Sequence, residues 1–378
     1  MIFNNVLEPV GNTPLIRLNR MTGPEDAEVL VKYEGLNVGG SIKTRTALQM
    51  IQAAEEAGIL KPDSIIVEPT SGNQGIGLAL VGAVKGYKVI IIMPDSVSRE
   101  RRLLIRQYGA ELILIHDEFN IGECMEKCIA KAQQMKAEDP RVFVPNQFEN
   151  PENVHAHLLH TAKEIIAQAE GPIDGFCSGI GTGGTITGIG KVLKEANPDM
   201  MIWAVEPAHA AILSGGSIGS HIQMGIGDGL IPEILEQVEG PIDGFCSGIG
   251  TGGTITGVGK VLKEANPNML IWAVEPAHAA ILSGGSIGSH IQMGIGDGLI
   301  PEILDLQIYS DIAIVTDEEA LNTTRDLVRK EGILCGISSG TNVCAALRMA
   351  KLLGKGKRIV TVLPDTGERY FSTDLFQD

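Results

Sequence analysis

Short apolar runs alternate with longer amphipathic segments between residues 64 and 147 of this 378-residue chain. We expect buried parallel strands at the runs SIIVEP, KVIIIMP, ELILIH and RVFVPNQ, which are rich in β-branched residues. Helices are predicted between them at NQGIGLALVGAVKG, SRERRLLIRQYG and NIGECMEKCIAKAQQMKAE, of which the first two end at a glycine. The alternation is typical of a doubly wound α/β sheet, in which ligands bind beyond the carboxyl ends of the strands.

The chain also contains a nearly perfect internal repeat. Residues 170–235 match residues 239–304 at an offset of 69, and the copies differ only at Ile189/Val258, Asp199/Asn268 and Met201/Leu270. A solenoid needs several diverged repeats, so two copies of one strand–helix–strand unit indicate a partial duplication. Without one copy, the chain would have 309 residues, the size of an ordinary two-lobed α/β enzyme.

The charge of the chain excludes some classes of partner. It has 46 acidic and 30 basic residues, and the resulting net charge of -16 repels nucleic acid. The basic stretch SRERRLLIR is predicted to be a solvent-exposed helix face. No apolar segment reaches membrane-spanning length and the amino-terminal segment lacks the pattern of a signal peptide, so we expect a cytoplasmic protein without a membrane partner.

The cysteines predict neither disulfides nor a metal centre. Six cysteines are too few for a disulfide scaffold in a chain of this length. Cys124 and Cys128 lie one helical turn apart, but no histidine or acidic cluster completes a metal site around them. We therefore expect buried thiols and no bound metal.

The repeated turn GIGTGGTITG follows a predicted strand and precedes a predicted helix. Gly179, Gly181 and Gly184 fit the spacing of a dinucleotide-binding turn, and Glu206 stands where such a unit has its ribose-binding acid. This pattern alone would indicate a nucleotide-dependent dehydrogenase. The same turn also carries threonine hydroxyls that, with backbone N–H groups at a helix N-terminus, suit one compact phosphate.

A second glycine-rich stretch, NVGGSIKTRTALQMIQAAEEAG, contains Lys43. Ser41 is predicted to cap a helix that Gly58 ends, which places Lys43 near the positive end of that helix. A positive helix terminus and partial burial both favour the uncharged amine that Schiff-base chemistry with an aldehyde requires. The alternative is a surface lysine on an amphipathic helix.

Two further turns could bind ligands. In IIVEPTSGNQGIG, the residues Thr70 to Asn73 offer hydroxyls, backbone donors and an amide to a small carboxylate at a helix N-terminus, although Ser71 could instead be a helix cap. In GILCGISSGTNVCAAL, Ser338 could cap a helix or face a ligand.

The order of these stretches resembles the cysteine synthase (O-acetylserine sulfhydrylase) family of pyridoxal-phosphate enzymes, and also the catalytic core of cystathionine β-synthase. The matching motifs are the glycine-flanked Lys43, PTSGN, GTGGT, GISSG and GERY, and they cover almost the whole chain apart from one copy of the repeat. The resemblance implies a two-domain fold-type II enzyme, similar to the tryptophan synthase β-subunit. Residues 1–45 with 151–378 would form the large cofactor-binding domain, and residues 46–150 a smaller mobile substrate domain.

The resemblance also assigns roles to residues. Lys43 would form the Schiff base with pyridoxal 5'-phosphate, Asn73 would hydrogen-bond the ring hydroxyl and Ser338 would face the pyridine nitrogen. The cofactor phosphate would bind to Gly181, Thr182, Gly183, Gly184 and Thr185, or to the equivalent Gly250, Thr251, Gly252, Gly253 and Thr254. The amino-acid substrate would contact Thr70, Ser71, Gly72, Gln74 and Gln147.

The implied reaction is a β-replacement that makes cysteine from O-acetylserine and sulfide through an aminoacrylate. Within the same class, the alternatives are a lyase that releases sulfide from cysteine and a condensation of the cystathionine β-synthase type. Alternatives from other classes are the dehydrogenase and an inactive binding protein with the same fold. The resemblance further implies a homodimer and suggests serine acetyltransferase as a partner.

Two departures from the family pattern bear on the reaction. Gln74 replaces the usual threonine of the SGN loop, and Asp228, with its copy Asp297, stands where a small apolar residue is common. A carboxylate close to the substrate could deprotonate water or a thiol, or repel hydrosulfide. Asp228 could equally cap a turn outside the pocket.

The repeat raises the question of which copy enters the fold, because a parallel sheet has one place for the strand that precedes the phosphate loop. The sequence DLQIYSDIAIV after the second copy looks like the family's own continuation. We therefore expect the second copy to occupy the sheet, although the segment HTAKEIIAQAEGPIDGF leads equally naturally into the first.

Overall fold

The computed structural model describes residues 2–117, 121–207, 229–230, 244–247, 270–273, 299–300, 311–373 and 375. The described strands are β1 (Leu15–Arg17), β2 (Glu28–Tyr33), β3 (Ile65–Pro69), β4 (Lys88–Pro94), β5 (Glu111–Ile115), β6 (Val142–Phe143), β7 (Gly175–Gly179), β8 (Met201–Pro207), β9 (Gly229–Leu230), β10 (Gly244–Ser247), β11 (Leu270–Ala273), β12 (Leu299–Ile300), β13 (Asp311–Val315) and β14 (Arg358–Leu363).

The described α-helices are α1 (Lys43–Glu56), α2 (Asn73–Lys85), α3 (Arg99–Gln107), α4 (Ile121–Glu138), α5 (Glu152–Ala156), α6 (Ala162–Ala169), α7 (Gly184–Ala196), α8 (Asp317–Asp326) and α9 (Ile337–Leu353). Two π-helical turns, His157–Thr161 and Leu327–Glu331, extend α5 and α8, and 3-10 turns lie at Glu34–Leu36, Val38–Gly40 and Gly367–Tyr370.

A four-stranded sheet in the order β5-β4-β3-β6 carries the predicted strand–helix alternation, and all its strands are parallel. Alternate residues of β3 and β4 point to opposite faces of the sheet, as the strand period requires. Ile66 and Ile91 pack with α1 and α2 on one face, whereas Val67 and Ile90 pack with α4 on the other. The helices α2, α3 and α4 begin and end within about two residues of their predicted bounds.

The predicted strand RVFVPNQ is an exception, because only Val142 and Phe143 pair with β3. The chain then leaves the sheet at Pro145, which has no N–H to donate to a neighbouring strand. Asn146 adopts a left-handed backbone with φ of 54°, which is incompatible with an extended strand. The prediction of a full strand here was wrong.

The second large sheet has six strands in the order β1-β2-β14-β7-β8-β13. Its strands are parallel except for β1, which pairs antiparallel with β2. On one face, Phe176 and Val360 pack with α6 and α7, and on the opposite face Cys177 and Ile359 pack with α9. Both sheets are thus covered by helices on their two faces, which confirms the doubly wound α/β class.

The strand of the first repeat copy occupies the central position that the two copies compete for. β7 lies between β14 and β8, and β13 pairs with β8. The expectation that the second copy fills this place was wrong. Two differences favour the first copy: it follows α6 after a short connection, and its Ile189 is fully buried where Val258 would leave the space of one methyl group.

Candidate active site

Four helices begin at one cleft between the two sheets. These helices are α1 at Lys43, α2 at Asn73, α7 at Gly184 and α9 at Ile337. In these four described helices no side chain caps the first turn, and three of the N-cap residues are glycines without a side chain to offer: Gly72, Gly183 and Gly336. The positive dipole ends of these helices favour anionic ligands, and α2 and α7 can also offer first-turn N–H groups, whereas in α1 the Thr44 and Arg45 N–H groups already bond to the Ser41 and Ile42 carbonyls.

Helix α8, which begins away from the cleft, shows the contrast. The Thr316 hydroxyl accepts a bond from the Glu319 backbone N–H, and the Glu319 carboxylate accepts one from the Thr316 N–H. This capping box satisfies the end of the helix within the protein. The prediction that Ser41 caps α1 was wrong, because Ile42 is the N-cap and Ser41 instead forms a buried β-bridge with Asp365.

The cleft brings together most of the residues singled out in the sequence. Those that line it are Lys43, Thr70, Ser71, Gly72, Asn73, Gln74, Gln147, Gly181, Thr182, Gly183, Thr185 and Ser338. The candidates Asp228, Asp297, Gly250, Thr251, Gly252, Gly253 and Thr254 lie outside the described residues.

The amine of Lys43 lies between the turn that precedes α7 and the turn at Gln147. Its Nζ is 3.4 Å from the Thr182 hydroxyl and 3.4 Å from the Gln147 side-chain oxygen. The Asn153 side-chain amide donates to the same Thr182 hydroxyl at 2.8 Å and to the Gln147 carbonyl at 2.9 Å. The amine is therefore held opposite the glycine-rich turn of the first repeat copy.

The turn before α7 has the form of an anion cradle. Gly183 adopts φ of 80°, a left-handed conformation that favours glycine. A Cβ on Gly184 would lie 2.4 Å from the Asn153 side-chain oxygen, so only glycine fits between the turn and α5. The turn thus presents backbone N–H groups at Gly183 and Gly184, beside the Thr182 and Thr185 hydroxyls, at the N-terminus of α7.

His157 supports this turn and was not identified from the sequence. Its Nε2 lies 3.3 Å from the Thr185 hydroxyl and its Nδ1 lies 3.1 Å from the Thr161 hydroxyl. Burial lowers the pKa of His157 well below its usual value, and the positive charges of Arg45 and Lys43 lower it further. His157 is therefore neutral at physiological pH and adds no charge beside the cradle. Nothing in the local sequence pattern distinguishes it from the neighbouring His155 and His160.

The amide of Asn73 has a fixed orientation. It donates to the Asp365 carboxylate at 2.7 Å and accepts from Arg369 at 2.5 Å. The Tyr370 hydroxyl donates to the same carboxylate oxygen at 2.7 Å, and burial together with the Asp365 charge raises the pKa of Tyr370. The GERY motif near the end of the sequence, with the preceding aspartate, thus orients Asn73 in the cleft.

Hydrogen bonds also fix the loop between β3 and α2 and the first turn of α2. The buried Thr70 hydroxyl accepts from the Gly72 backbone N–H at 3.2 Å. The side chain of Gln74 is 1% exposed, accepts from the Thr46 hydroxyl at 2.7 Å and lies against the Met50 sulfur. The Gln74 amide therefore joins α2 to α1.

Arg101 lines the cleft and is the exception to the predicted solvent-exposed face of the SRERRLLIR helix, on which Arg99 and Arg106 are exposed. Its side chain is buried, donates to the Tyr370 hydroxyl at 3.0 Å and has its guanidinium 5.1 Å from the centre of the Tyr370 ring. A Cβ on Gly72 would lie 2.9 Å from its Nε. The spacing to Ile105, which is fully buried one turn later, was the signal that could have placed Arg101 on the inward face.

The charge of the cleft is positive. Among the described residues that line it, the charged side chains are Lys43 and Arg101. Together with the four helix N-termini, they favour ligands that carry phosphate or carboxylate groups.

Two other expectations concern metals and membranes. Cys124 and Cys128 are buried free thiols, and within the described part of the chain no group of His, Cys, Asp and Glu side chains is arranged to hold a metal ion. Among the described helices, none is both long and apolar enough to cross a bilayer.

Comparison with known proteins gives the family. The family described as pyridoxal-phosphate dependent enzyme matches residues 6–231 and again residues 224–365. The chain belongs to this family. Its pyridoxal-phosphate dependence and the two-domain α/β fold of fold-type II agree with the resemblance read from the sequence, and exclude the dehydrogenase interpretation of the repeated turn.

Individual relatives are enzymes of sulfur and amino-acid metabolism. Cysteine synthases of Staphylococcus aureus strains Mu50 and N315 are each 40% identical over 374 residues, covering 99% of this chain and 97% of theirs. A hydrogen sulfide-producing enzyme from Fusobacterium nucleatum is 35% identical with a TM-score of 0.73, covering 98% of this chain and 100% of its own. An O-acetylserine-dependent cystathionine β-synthase from Helicobacter pylori is 28% identical with a TM-score of 0.74, covering 100% of both chains.

The residues in the cleft fit pyridoxal phosphate. The uncapped N-terminus of α7 with its left-handed Gly183 suits the phosphate, and the Lys43 amine faces this turn. The oriented Asn73 amide suits a ring hydroxyl, and the buried Ser338 hydroxyl in the first turn of α9 suits the pyridine nitrogen. A neutral serine, unlike a carboxylate, does not hold that nitrogen fully protonated.

Proposed function

We propose that this chain catalyses β-replacement on an amino acid, with cysteine synthesis from O-acetylserine and sulfide as the main reaction. The observation that carries the proposal is the position of the Lys43 amine, which faces the anion cradle before α7 in a cleft that the loop from Thr70 to Asn73 also lines. The 40% identity to cysteine synthases over nearly the whole chain supports this choice of reaction.

The chemistry divides between the cofactor and the chain. When bound, pyridoxal phosphate supplies an aldehyde carbon for an amine and a ring that withdraws electrons from the α-carbon of the substrate. Lys43 would hold the cofactor and then act as the base that removes the α-proton and returns it at the end. Thr182 and Gln147, each 3.4 Å from its Nζ, keep this amine in place between those two events.

The substrate would be oriented by its carboxylate. The α2 N-terminus and the Thr70 and Ser71 hydroxyls offer donors to that group, and Arg101 adds a positive charge beside Gly72. Uncharged Ser338 would favour β-elimination over transamination, because it leaves the ring a weaker electron sink. Acetate leaves from the β-carbon and sulfide takes its place.

The domain boundaries form part of this proposal. Residues 46–150 would be the smaller mobile domain, and residues 1–45 with 151–378 the larger one. The separate four-stranded sheet and its own two hydrophobic clusters support the division. A homodimer and an interaction with serine acetyltransferase remain proposals that rest on family membership, and size-exclusion chromatography with and without that enzyme would test both.

A visible absorbance spectrum of the purified protein, followed by assays, tests the reaction. We expect a Schiff-base absorbance band that Lys43→Ala abolishes, and cysteine formation from O-acetylserine and sulfide. Faster release of sulfide from cysteine alone would favour the lyase, which the 35% identity to a hydrogen sulfide-producing enzyme makes the second candidate. A protein that binds no pyridoxal phosphate would contradict both.

Cofactor titration tests the number of sites. We expect one equivalent of pyridoxal phosphate per chain, because the sequence supplies one Lys43 to face a phosphate turn although it contains two such turns. Two equivalents per chain would contradict this.

A further inference from the structure

Glu68 is a fully buried carboxylate that the proposed chemistry does not use. It is the penultimate residue of β3, two positions before Thr70, and its side chain is 0% exposed. One carboxylate oxygen accepts the backbone N–H of Asn146 at 2.9 Å and the other accepts that of Gln147 at 3.1 Å. Glu68 therefore joins β3 to the turn that follows β6.

This turn has a conformation that needs external support. Asn146 is one of the described non-glycine residues with positive φ, at 54°, a region that is sparsely populated and persists where surrounding contacts fix it. Two backbone bonds to a single carboxylate supply such contacts on one side. On the other side, the Asn153 amide donates to the Gln147 carbonyl at 2.9 Å.

The fixed turn determines where the Gln147 side chain lies. Its oxygen is 3.4 Å from the Lys43 Nζ, and the Asn153 amide that binds the Gln147 carbonyl also binds Thr182, the second contact of the amine. A shift of the turn would therefore move Gln147, which contacts the amine, and would disturb the support of Thr182, which also contacts it.

We infer that Glu68 is a positioning residue, whose carboxylate holds the Asn146–Gln147 turn and thereby keeps Gln147 against the Lys43 amine. The catalytic part of this inference rests on the proposed function, because it assigns Lys43 the proton transfer. The structural part, that Glu68 fixes the turn, stands without it.

The energetic cost of the arrangement supports a role beyond stability. Burial raises the pKa of Glu68 to about 7, against the lowering effects of the two backbone N–H groups and of the Lys43 charge. Between pH 4.5, the ordinary pKa of a glutamate, and about pH 7, folded Glu68 keeps a proton that the unfolded chain has lost. Glu68 therefore makes the fold less stable as the pH rises through this range. A neutral glutamine would avoid that loss, but its NH2 group would replace one of the two acceptor oxygens and would face a backbone N–H donor.

The test compares Glu68→Gln with Gln147→Ala and the double variant. We expect Glu68→Gln to keep its cofactor and its thermal stability at pH 8, while kcat for cysteine formation falls about tenfold to a hundredfold and KM changes little. We expect Gln147→Ala to lower kcat similarly, and the double variant to be no slower than the slower single variant, because both changes disturb one contact.

Hydrogen exchange gives a readout that does not depend on activity. We expect the Asn146 and Gln147 amides to exchange at least tenfold faster in Glu68→Gln than in the unaltered protein, with amides of β4 unchanged as the internal control. Unchanged exchange, an unchanged kcat, or multiplied effects in the double variant would overturn the inference. If the unaltered protein makes no cysteine but the exchange difference appears, the proposed function fails and the structural role of Glu68 stands.

Discussion

The two copies of the repeat share almost every residue but occupy different places in the molecule. In the first copy, Gly175 pairs with Met201 in the strand pair β7–β8, and in the second the equivalent Gly244 pairs with Leu270 in β10–β11. The register is therefore the same. However, β7 and β8 continue into a six-stranded sheet, whereas β10 and β11, among the described strands, pair with each other alone.

This difference shows what a glycine-rich turn needs to become a site. The copies specify the same strand pair, so local sequence determines the pairing and its register. The residues that make the first turn a site come from elsewhere in the chain and occur once: Lys43, Asn153 and His157. Because the chain has no second set of these partners, we expect the second copy of the turn to add no second active site.

The largest expected effect is a difference in stability when the same residue is truncated in each copy. Phe176 in β7 is fully buried, so Phe176→Ala should lower the free energy of unfolding by about 3–5 kcal/mol. The matched change Phe245→Ala should cost far less. Urea denaturation of both variants measures this.

The double variant sharpens the same comparison. If the second copy can replace the first in the sheet, each single change would have a small effect and only Phe176→Ala with Phe245→Ala would be strongly destabilising. That pattern would contradict the fixed assignment of the first copy to the sheet.

Gly184→Ala should have the next largest effect, because its Cβ would lie 2.4 Å from the Asn153 side-chain oxygen. Displacing Asn153 would break its bonds to Gln147 and Thr182, and such overpacking costs about 1–3 kcal/mol. We expect weaker binding of pyridoxal phosphate by at least tenfold in a fluorescence titration. Gly253→Ala is the matched control, and equal losses in the two variants would argue against a single phosphate site.

Removing the Thr182 hydroxyl tests the same turn with a smaller expected effect than Gly184→Ala. Thr182→Val removes the acceptor of the buried Asn153 amide, and a buried donor left unpaired costs about 1–3 kcal/mol. We expect a several-fold loss of cofactor affinity and a slower reaction, since Thr182 also contacts the Lys43 amine. Thr251→Val should leave both quantities unchanged. A larger effect of the Thr251 change would move the site to the second copy.

The sequence predicted well what depends on local pattern. The β-branched runs located β3, β4 and β5, and the motifs around Lys43, Asn73 and Ser338 identified residues that the fold brings to one cleft. These features were predictable because strand alternation and the sequence of a turn are visible in a short segment. The family resemblance added the cofactor, which no single motif specified.

The errors concern contacts between distant segments. Arg101 was assigned to solvent because its partner Tyr370 lies far away in the sequence, and Ser41 was assigned to a helix cap although it pairs with Asp365. The strand after Arg141 was too long because Glu68 holds the following turn out of the sheet. The choice between the repeat copies was also wrong, because the two copies differ at only three positions and their local sequence gave almost no signal to separate them.

The smallest effect tests the one buried difference between the copies. Ile189 in α7 is fully buried in the cluster that covers the six-stranded sheet, and the second copy has Val258 instead. Ile189→Val should lower the free energy of unfolding by about 0.5–1.5 kcal/mol, because it removes one buried methyl group without other change. The matched Val258→Ile should not change it, as measured by urea denaturation of both variants under identical conditions. Val258→Ile could instead stabilise the protein by the amount that Ile189→Val costs. In that case both copies can occupy the place in the sheet, and the free energy that favours the first copy is no larger than that of one buried methyl group.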